Sequence, residues 1–373
     1  MKSSVKTAED RQQPRYRTIS EELRRELDAG LFSPGERLPT DAELAKRFET
    51  SRLTVIRALR ELESAGLVSR KAGSGTFVRQ LEHAGNRVFG LLMPDLGDGE
   101  VFEPIARGIA RAGESARQTI LWGDLSASGP GKEKKAQELC RYLVSRKVSG
   151  VFFSPVELTP NQDAVNESIS ADLDRAGIPL VLLDRCFRKF PGRSRYDLVG
   201  IDNRRAGYRV TAHLLDAGCR RLAFAFRPGS APTVDARCSG YREAIWNAGI
   251  NDLHLLEFDT ESVDLVRLER FISKVRPDGI VCANDFTAAR LMQSLLKLGT
   301  AIPRDIRMVG INDVKYASFL PVPLTTLHQP CAQIGLTAMN VMLDRIERPD
   351  TPARDILLDC ELIVRQSCGT APD

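Results

Sequence analysis

The chain has 373 residues, 42% hydrophobic and 27% charged, the make-up of an ordinary globular protein but too long for one compact core. Its net charge of +4 sits entirely in residues 1–80, where 16 Lys+Arg face 12 Asp+Glu, a placement that favours an anionic partner for that segment. The start is polar through Ser20 and no apolar run approaches membrane-spanning length, which argues against a signal peptide or membrane partner and predicts a cytoplasmic setting.

Residues 1–14 are polar and are expected to be a disordered tail. Arg15–Ala29 predicts a first helix, with Ile19, Leu23 and Leu27 on one stripe and Gly30 as its stop. Thr40-Asp41-Ala42-Glu43 has the form of a capping box and opens a short second helix through Phe48. Only Glu49 and Thr50 follow before Ser51, a good N-cap, begins a third helix with Val55, Ala58, Leu59 and Leu62 on one face. Its other side carries Arg52, Ile56, Arg57 and Arg60, with no acid between Ser51 and Arg60. Gly66 ends it. Leu67–Lys71 and Thr76–Arg79, joined through Ala72-Gly73-Ser74-Gly75, predict a β-hairpin with a glycine turn. The sum is a winged helix-turn-helix over residues 15–79, followed by a linker at 80–87.

This segment resembles the GntR family of bacterial transcription regulators. The resemblance rests on Phe32-Ser33-Pro34-Gly35-Glu36-Arg37-Leu38-Pro39-Thr40, Glu43-Leu44-Ala45, Ser51-Arg52 with Thr54-Val55, Ala58-Leu59, Gly66-Leu67-Val68 and Gly73-Ser74-Gly75-Thr76-Phe77-Val78. It implies double-stranded DNA as partner, with contacts at Thr40, Ser51, Arg52, Thr54, Ile56, Arg57, Arg70, Lys71 and the wing residues Gly73, Ser74 and Gly75. Ile56 departs from the arginine usual there, so Arg52 is carried over ahead of it, and Ile56 is expected against a thymine methyl. The competing reading is a winged domain for protein contacts, its arginines a solvated face. A homodimer on a near-palindromic site is expected, because one such domain makes too little contact for strong specificity.

From Val88 the pattern changes to short apolar runs separated by helix-length stretches: Val88–Met93, Thr119–Trp122, Gly150–Phe153, Leu180–Leu183, Leu198–Ile201, Leu222–Phe226, Leu255–Phe258, Gly279–Ala283 and Met308–Ile311. Such alternation predicts an α/β architecture of parallel sheets covered by helices on both faces. A break at the Pro191–Arg195 loop suggests two sheets facing across a cleft, where ligands bind beyond the strand carboxyl ends. On this reading residues 87–188 and 331–348 form one lobe, and 196–325 with the strands of Ile356–Val364 form the other. The chain then crosses near Asp184–Tyr196, Thr325–Gln329 and Arg348–Pro352.

Residues 88–368 are similar to the effector domain of the LacI/GalR family, which is itself like the periplasmic sugar-binding proteins. Leu183-Asp184-Arg185, Asp202-Asn203 with Ala206-Gly207, Arg237 with Gly240-Tyr241, Asn284-Asp285, Gly310–Asp313 and Leu324–Thr326 with Gln329-Pro330 carry the likeness. The pairing with a GntR-type reader resembles the arabinose-repressor arrangement. It implies a two-lobed effector-binding domain with contacts at Asp184, Arg237, Asn284, Asn312 and Gln329. Carboxylate, amide and guanidinium groups suit a sugar or polyol. Phe102 and Trp122, after the first two strands, are expected as an apolar platform for a sugar face, plain core being the alternative.

No G-x-x-x-x-G-K-[ST], G-x-S-x-G, H-E-x-x-H or strand-borne G-x-G-x-x-G occurs, so no catalytic residue is expected. The eight cysteines include no C-x-x-C pair and the four histidines are scattered, so no metal or cofactor is expected; Cys282 reads as small core. The acidic loop Asp95–Glu100 reads as a solvated cleft rim. Two functions remain: a DNA-binding regulator, expected to be a repressor, switched by a small metabolite; or a solute-binding or enzymatic α/β protein with a tethering N-terminal module.

Overall fold

The computed structural model describes residues 15–28, 32, 35–64, 67–71, 75–78, 87–93, 101–122 and 130–370. The expected disordered tail, the acidic loop Asp95–Glu100, Gly73, Ser74, most of the linker and the side chain of Lys71 lie outside the described residues. The chain divides into two compact units, residues 1–85 and 86–373.

In the first unit α1 (Arg15–Asp28), α2 (Asp41–Arg47) and α3 (Arg52–Ser64) precede the antiparallel strands β1 (Val68–Lys71) and β2 (Gly75–Val78). The stripes read from the sequence make the core: Ile19, Leu23, Leu44, Val55, Ala58, Leu59 and Leu62 are each at most 2% exposed. The capping box forms around Thr40 and Glu43. Glu49 takes a left-handed φ of 46° in the turn between α2 and α3, where the Arg15 guanidinium donates to the Phe48 carbonyl at 3.2 Å. A feature beyond the sequence reading is that residues 35–38 pair with β2. Gly35 N donates to Val78 O at 3.0 Å and Leu38 N to Thr76 O at 2.9 Å, so the hairpin is tied back to the lead-in of α2.

The second unit holds two six-stranded sheets. Its elements run β3 (Val88–Leu92), α4 (Phe102–Ser115), β4 (Thr119–Trp122), α5 (Pro130–Ser145), β5 (Gly150–Phe153), α6 (Gln162–Arg175), β6 (Leu180–Leu183), β7 (Asp197–Ile201), α7 (Asn203–Asp216), β8 (Leu222–Phe226) and α8 (Pro232–Asn247). There follow β9 (His254–Glu257), α9 (Leu265–Val275), β10 (Gly279–Cys282), α10 (Asp285–Lys297), β11 (Arg307–Asn312), β12 (Thr325–His328), α11 (Cys331–Glu347), β13 (Asp355–Leu358) and β14 (Glu361–Ile363). The first sheet has the order β13-β7-β6-β5-β3-β4 and is wholly parallel; the second has the order β14-β12-β11-β10-β8-β9, with only β14 antiparallel. Buried apolar strands such as β5 and β6 are what a sheet covered on both faces requires.

The lobe assignment read from the sequence is corrected at two strands. The Pro191–Arg195 loop does not separate the sheets: β7, placed in the second lobe, belongs to the first, and so does β13. The anchor is Asp197, fully buried, whose carboxylate accepts from Arg345 Nε at 2.9 Å and from the Arg354 amide at 2.8 Å. The chain therefore crosses between lobes at residues 201–203, 328–331 and 358–361, not at the 184–196 and 348–352 stretches.

Each lobe also contains a helix pair in near backbone contact. A methyl on Gly108 or Gly335 would overlap the carbonyls of Ala332 or Ile105, which locks α4 to α11. Gly207 and Gly240 do the same for α7 and α8, against the carbonyls of Arg237 and Arg204.

Candidate functional site

The first unit presents a concave basic face. Arg52 and Ile56 on α3, Thr40 and Asp41 at the start of α2, and Arg37, Arg70 and Gly75 beside the hairpin line it. Ser51 caps α3, accepting from the Thr54 amide at 3.2 Å, with the Thr54 hydroxyl 2.8 Å from its own; this fixes the helix start from which Arg52 projects, exposed. Thr40 is committed to its cap: its amide donates to the Glu43 carboxylate at 2.7 Å, and that bond, with the one from the Thr40 hydroxyl, holds the carboxyl below its ordinary range.

The arginines differ in their partners. Arg70 is 2.6 Å from the Asp41 carboxylate, joining the hairpin to α2. Arg57 lies over the Tyr16 ring at 4.1 Å and so turns toward α1, away from the Arg52 side of the helix. The sequence reading missed Arg37, which covers Gly75: a methyl there would come within 2.6 Å of its Nε, and the glycine φ of 116° favours no side chain. Its place in the quoted Gly35–Leu38 run was the available signal.

In the second unit a cleft lined by both lobes opens at the carboxyl ends of the strands, where ligands of such folds bind. The first lobe supplies Phe102, Glu157, Asp184 and Arg185; the second supplies Arg227, Arg237, Asn284, Phe286 and Asn312; Gln329 lies where the chain crosses. Six of the seven residues expected from the sequence thus meet here: Phe102, Asp184, Arg237, Asn284, Asn312 and Gln329. Trp122 does not. It is 58% exposed at the end of the edge strand β4 and is not among the lining residues.

Backbone strain collects at this cleft. Asp184 has φ 66°, Asn312 φ 134° and Asp313 φ 55°, conformations that cost non-glycine residues on the order of 1–3 kcal/mol each and persist at sites that need them. Arg237, 4% exposed, donates from Nε to Asn203 Oδ1 at 2.8 Å and from a terminal nitrogen to the Ala283 carbonyl at 2.6 Å. Burial pulls its guanidinium below the usual range, with the Asp184 carboxylate first among the groups opposing that. Gln329 donates to Asn312 Oδ1 at 2.7 Å, while its buried Oε1 has no hydrogen-bond partner among the described residues. Asn284 caps α10 through its Oδ1, which accepts from the Thr287 amide at 2.8 Å, and its NH2 half is not used in that cap.

A carboxylate spans the cleft. Glu157 pairs with Arg185 inside the first lobe and accepts from the Ala231 amide of the second, at the start of α8, at 3.1 Å. Burial raises its carboxyl, but Arg185, Lys132 and the Ala231 bond outweigh that and hold it below the ordinary value. Arg185 in turn lies 4.9 Å from the Phe102 ring, so the aromatic floor carries a guanidinium. Just behind the lining, Asp285 is fully buried, accepting from the Thr326 hydroxyl at 2.6 Å and the Val314 amide at 3.0 Å; burial pushes its pKa up to about 6.

Residues 15–78 match the family model for bacterial regulatory proteins of the gntR family, and residues 211–368 that for the periplasmic binding protein-like domain. The arabinose metabolism transcriptional repressor of Geobacillus stearothermophilus is 29% identical over 366 residues, 95% of this chain and 97% of that protein. The HTH-type transcriptional repressor PurR of Vibrio vulnificus is 29% identical over 242 residues, 64% of this chain and 69% of its own length. Among solved structures, a LacI family transcriptional regulator from Enterococcus faecium with bound ribose superposes with a TM-score of 0.62 at 24% identity, over 77% of this chain and 99% of that one. A transcriptional regulator CelR–cellobiose complex does so at 0.64 and 21%, over 88% and 100%. The chain therefore carries a segment that matches the gntR-type model and, after it, a domain that matches the periplasmic binding protein-like model and shares the fold of LacI-family regulators.

Proposed function

We propose that this chain is a cytoplasmic, non-catalytic transcriptional repressor whose affinity for operator DNA is set by a small sugar or sugar derivative bound between the two lobes. One observation carries the reading: a basic helix-turn-helix face and a cleft of converging hydrogen-bonding groups occur in one chain, and the cleft holds a buried acceptor, Gln329 Oε1, without a partner among the described residues. A buried unsatisfied acceptor costs about 1–3 kcal/mol, and a ligand hydroxyl donated to it removes that cost. Asp184 accepts as well, while Arg237, Asn284 and Asn312 donate; this mixed set fits a polyol. That ribose and cellobiose are bound in the two solved regulators supports the ligand class.

In this reading α3 lies in the major groove with Arg52 at base edges or phosphate, and Thr54, Arg70, Lys71 and the wing tip against the backbone or minor groove. The active form is a homodimer on paired half-sites. Ligand favours the lobe arrangement it binds more tightly, and operator DNA then shifts ligand affinity by the same factor. Gel shifts of the protein on the promoter of its own operon, with and without a panel of pentoses, hexoses and disaccharides, test this. A shifted band altered by one sugar is expected; a promoter left unbound at low salt overturns the DNA arm, and a band indifferent to every sugar overturns the effector arm.

A further inference from the structure

Leu53 is 78% exposed, in a module whose Leu23, Leu44 and Leu59 are fully buried. An exposed leucine alone means little; its direction is what counts. At about 100° per residue, Leu53 points about 170° from the mean direction of the core-facing Val55, Ala58, Leu59 and Leu62. It is thus the most outward side chain of the first turns of α3. Half-buried Ile56, three residues on, lies beside it, and exposed Arg52 and Arg60 flank the pair, while exposed Arg57 leans on Tyr16 of α1. The outward face of the helix is an apolar spot in a cationic rim, with no acid from Ser51 to Arg60.

We propose that Leu53 is a specificity-determining residue that reads the 5-methyl group of a thymine, so that each half-site carries a required thymine facing the amino-terminal turn of α3. This rests on the DNA-reading function proposed above. Leucine has neither donor nor acceptor and cannot address the N7, O6, N6 or N4 edges of the major groove; the thymine methyl is the one apolar group there. The cationic rim supplies the phosphate affinity that brings the groove to the helix. Burying one methyl against a side chain corresponds to about fourfold in affinity per half-site.

The test begins with duplexes that the full-length protein itself enriches from a randomised library. Each thymine is then replaced singly by deoxyuridine, which deletes only the methyl, and binding is measured at low salt, where phosphate contacts keep every variant on the DNA. One thymine per half-site is expected to lose about fourfold on replacement, and 5-methylcytosine there is expected to outbind cytosine. Leu53→Ala is expected to abolish both differences at that position alone, and Leu53→Met to keep them; because Leu53 is exposed, both should melt like the parent. Equal binding of thymine and uracil duplexes at every position, or a difference that survives Leu53→Ala, overturns the role of Leu53 while leaving DNA recognition intact. Enrichment of no duplex at all overturns the DNA-reading function and this proposal with it.

Discussion

The two units hold their arginines in opposite ways. On the reading face Arg52 and Arg37 stand in solvent, and even the paired Arg70 keeps 28% of its side chain exposed. In the cleft Arg185 and Arg237 are 3% and 4% exposed, each fixed by several partners. An exposed guanidinium costs little to keep and attracts any phosphate, but salt screens it. A buried one has already lost its water and acts through fixed geometry, so removing it strands the groups that hold it. The first arrangement gives graded, sequence-tolerant attraction; the second gives discrimination.

Salt breaks this comparison most strongly. If about eight phosphates are neutralised by the reading faces of a dimer, log affinity should fall linearly with log salt at a slope near −7. That is about ten-thousandfold between 50 and 200 mM, readable by fluorescence anisotropy on a labelled operator. Effector binding to the isolated cleft should barely move over the same range, and a slope near zero for DNA would remove the contrast.

Arg237→Ala comes next. It leaves Asn203 Oδ1 and the Ala283 carbonyl without their donor and should weaken effector binding by about 3 kcal/mol, more than a hundredfold by calorimetry. Ligand-free DNA binding should be unchanged, because the substitution lies in the other unit. A variant that still answers effector at parental concentrations places the pocket elsewhere.

Asp285 extends the contrast to acids. Its pKa is about 6 in the fold against 3.8 for the free side chain, so the fold binds this proton more tightly than the unfolded chain does. Its favourable contribution is fully present below about 3.8 and is lost as pH rises through about 6, a swing on the order of 3 kcal/mol. Urea unfolding of Asp285→Asn should lack that part of the pH slope between pH 4 and 6; parallel slopes for variant and parent would assign the proton to another group.

The smallest expected effect is at the reading face. Arg52→Ala should cost about 1–3 kcal/mol if it reads a base, and reduce the salt slope by about 1 per protomer if it instead neutralises a phosphate. Footprinting and salt titration together separate the two.

The sequence exposed those parts of the molecule that local chemistry determines. Helix stripes, the Thr40 capping box, the Ser51 cap and the apolar strand runs each follow from neighbours a few residues apart, and each formed. The cleft was legible where a motif fixes a strand end, as at Asp184, Asn284 and Asn312. Glu157, Arg227 and Phe286 stayed hidden because they meet the others only through tertiary folding. The same blindness misplaced β7. A short apolar strand does not state which sheet it joins, and Asp197 settles that through Arg345 and Arg354, about 150 residues downstream. Trp122 was misjudged for a simpler reason: standing after a strand does not put a residue over the cleft when that strand is at the edge.

The glycine contacts between α4 and α11, and between α7 and α8, bear on how this sensor can be re-engineered. Backbones that touch leave no room to slide, so each helix pair forms a stiff plate, and the lobes are joined through the three short connections at 201–203, 328–331 and 358–361. Recognition and gearing are therefore carried largely by different residues, with Gln329 the lining residue that stands in a connection. The lining of the cleft can be rewritten for a new input molecule while the plates and pivots are kept, which makes the second unit a reusable chassis for metabolite-responsive genetic circuits.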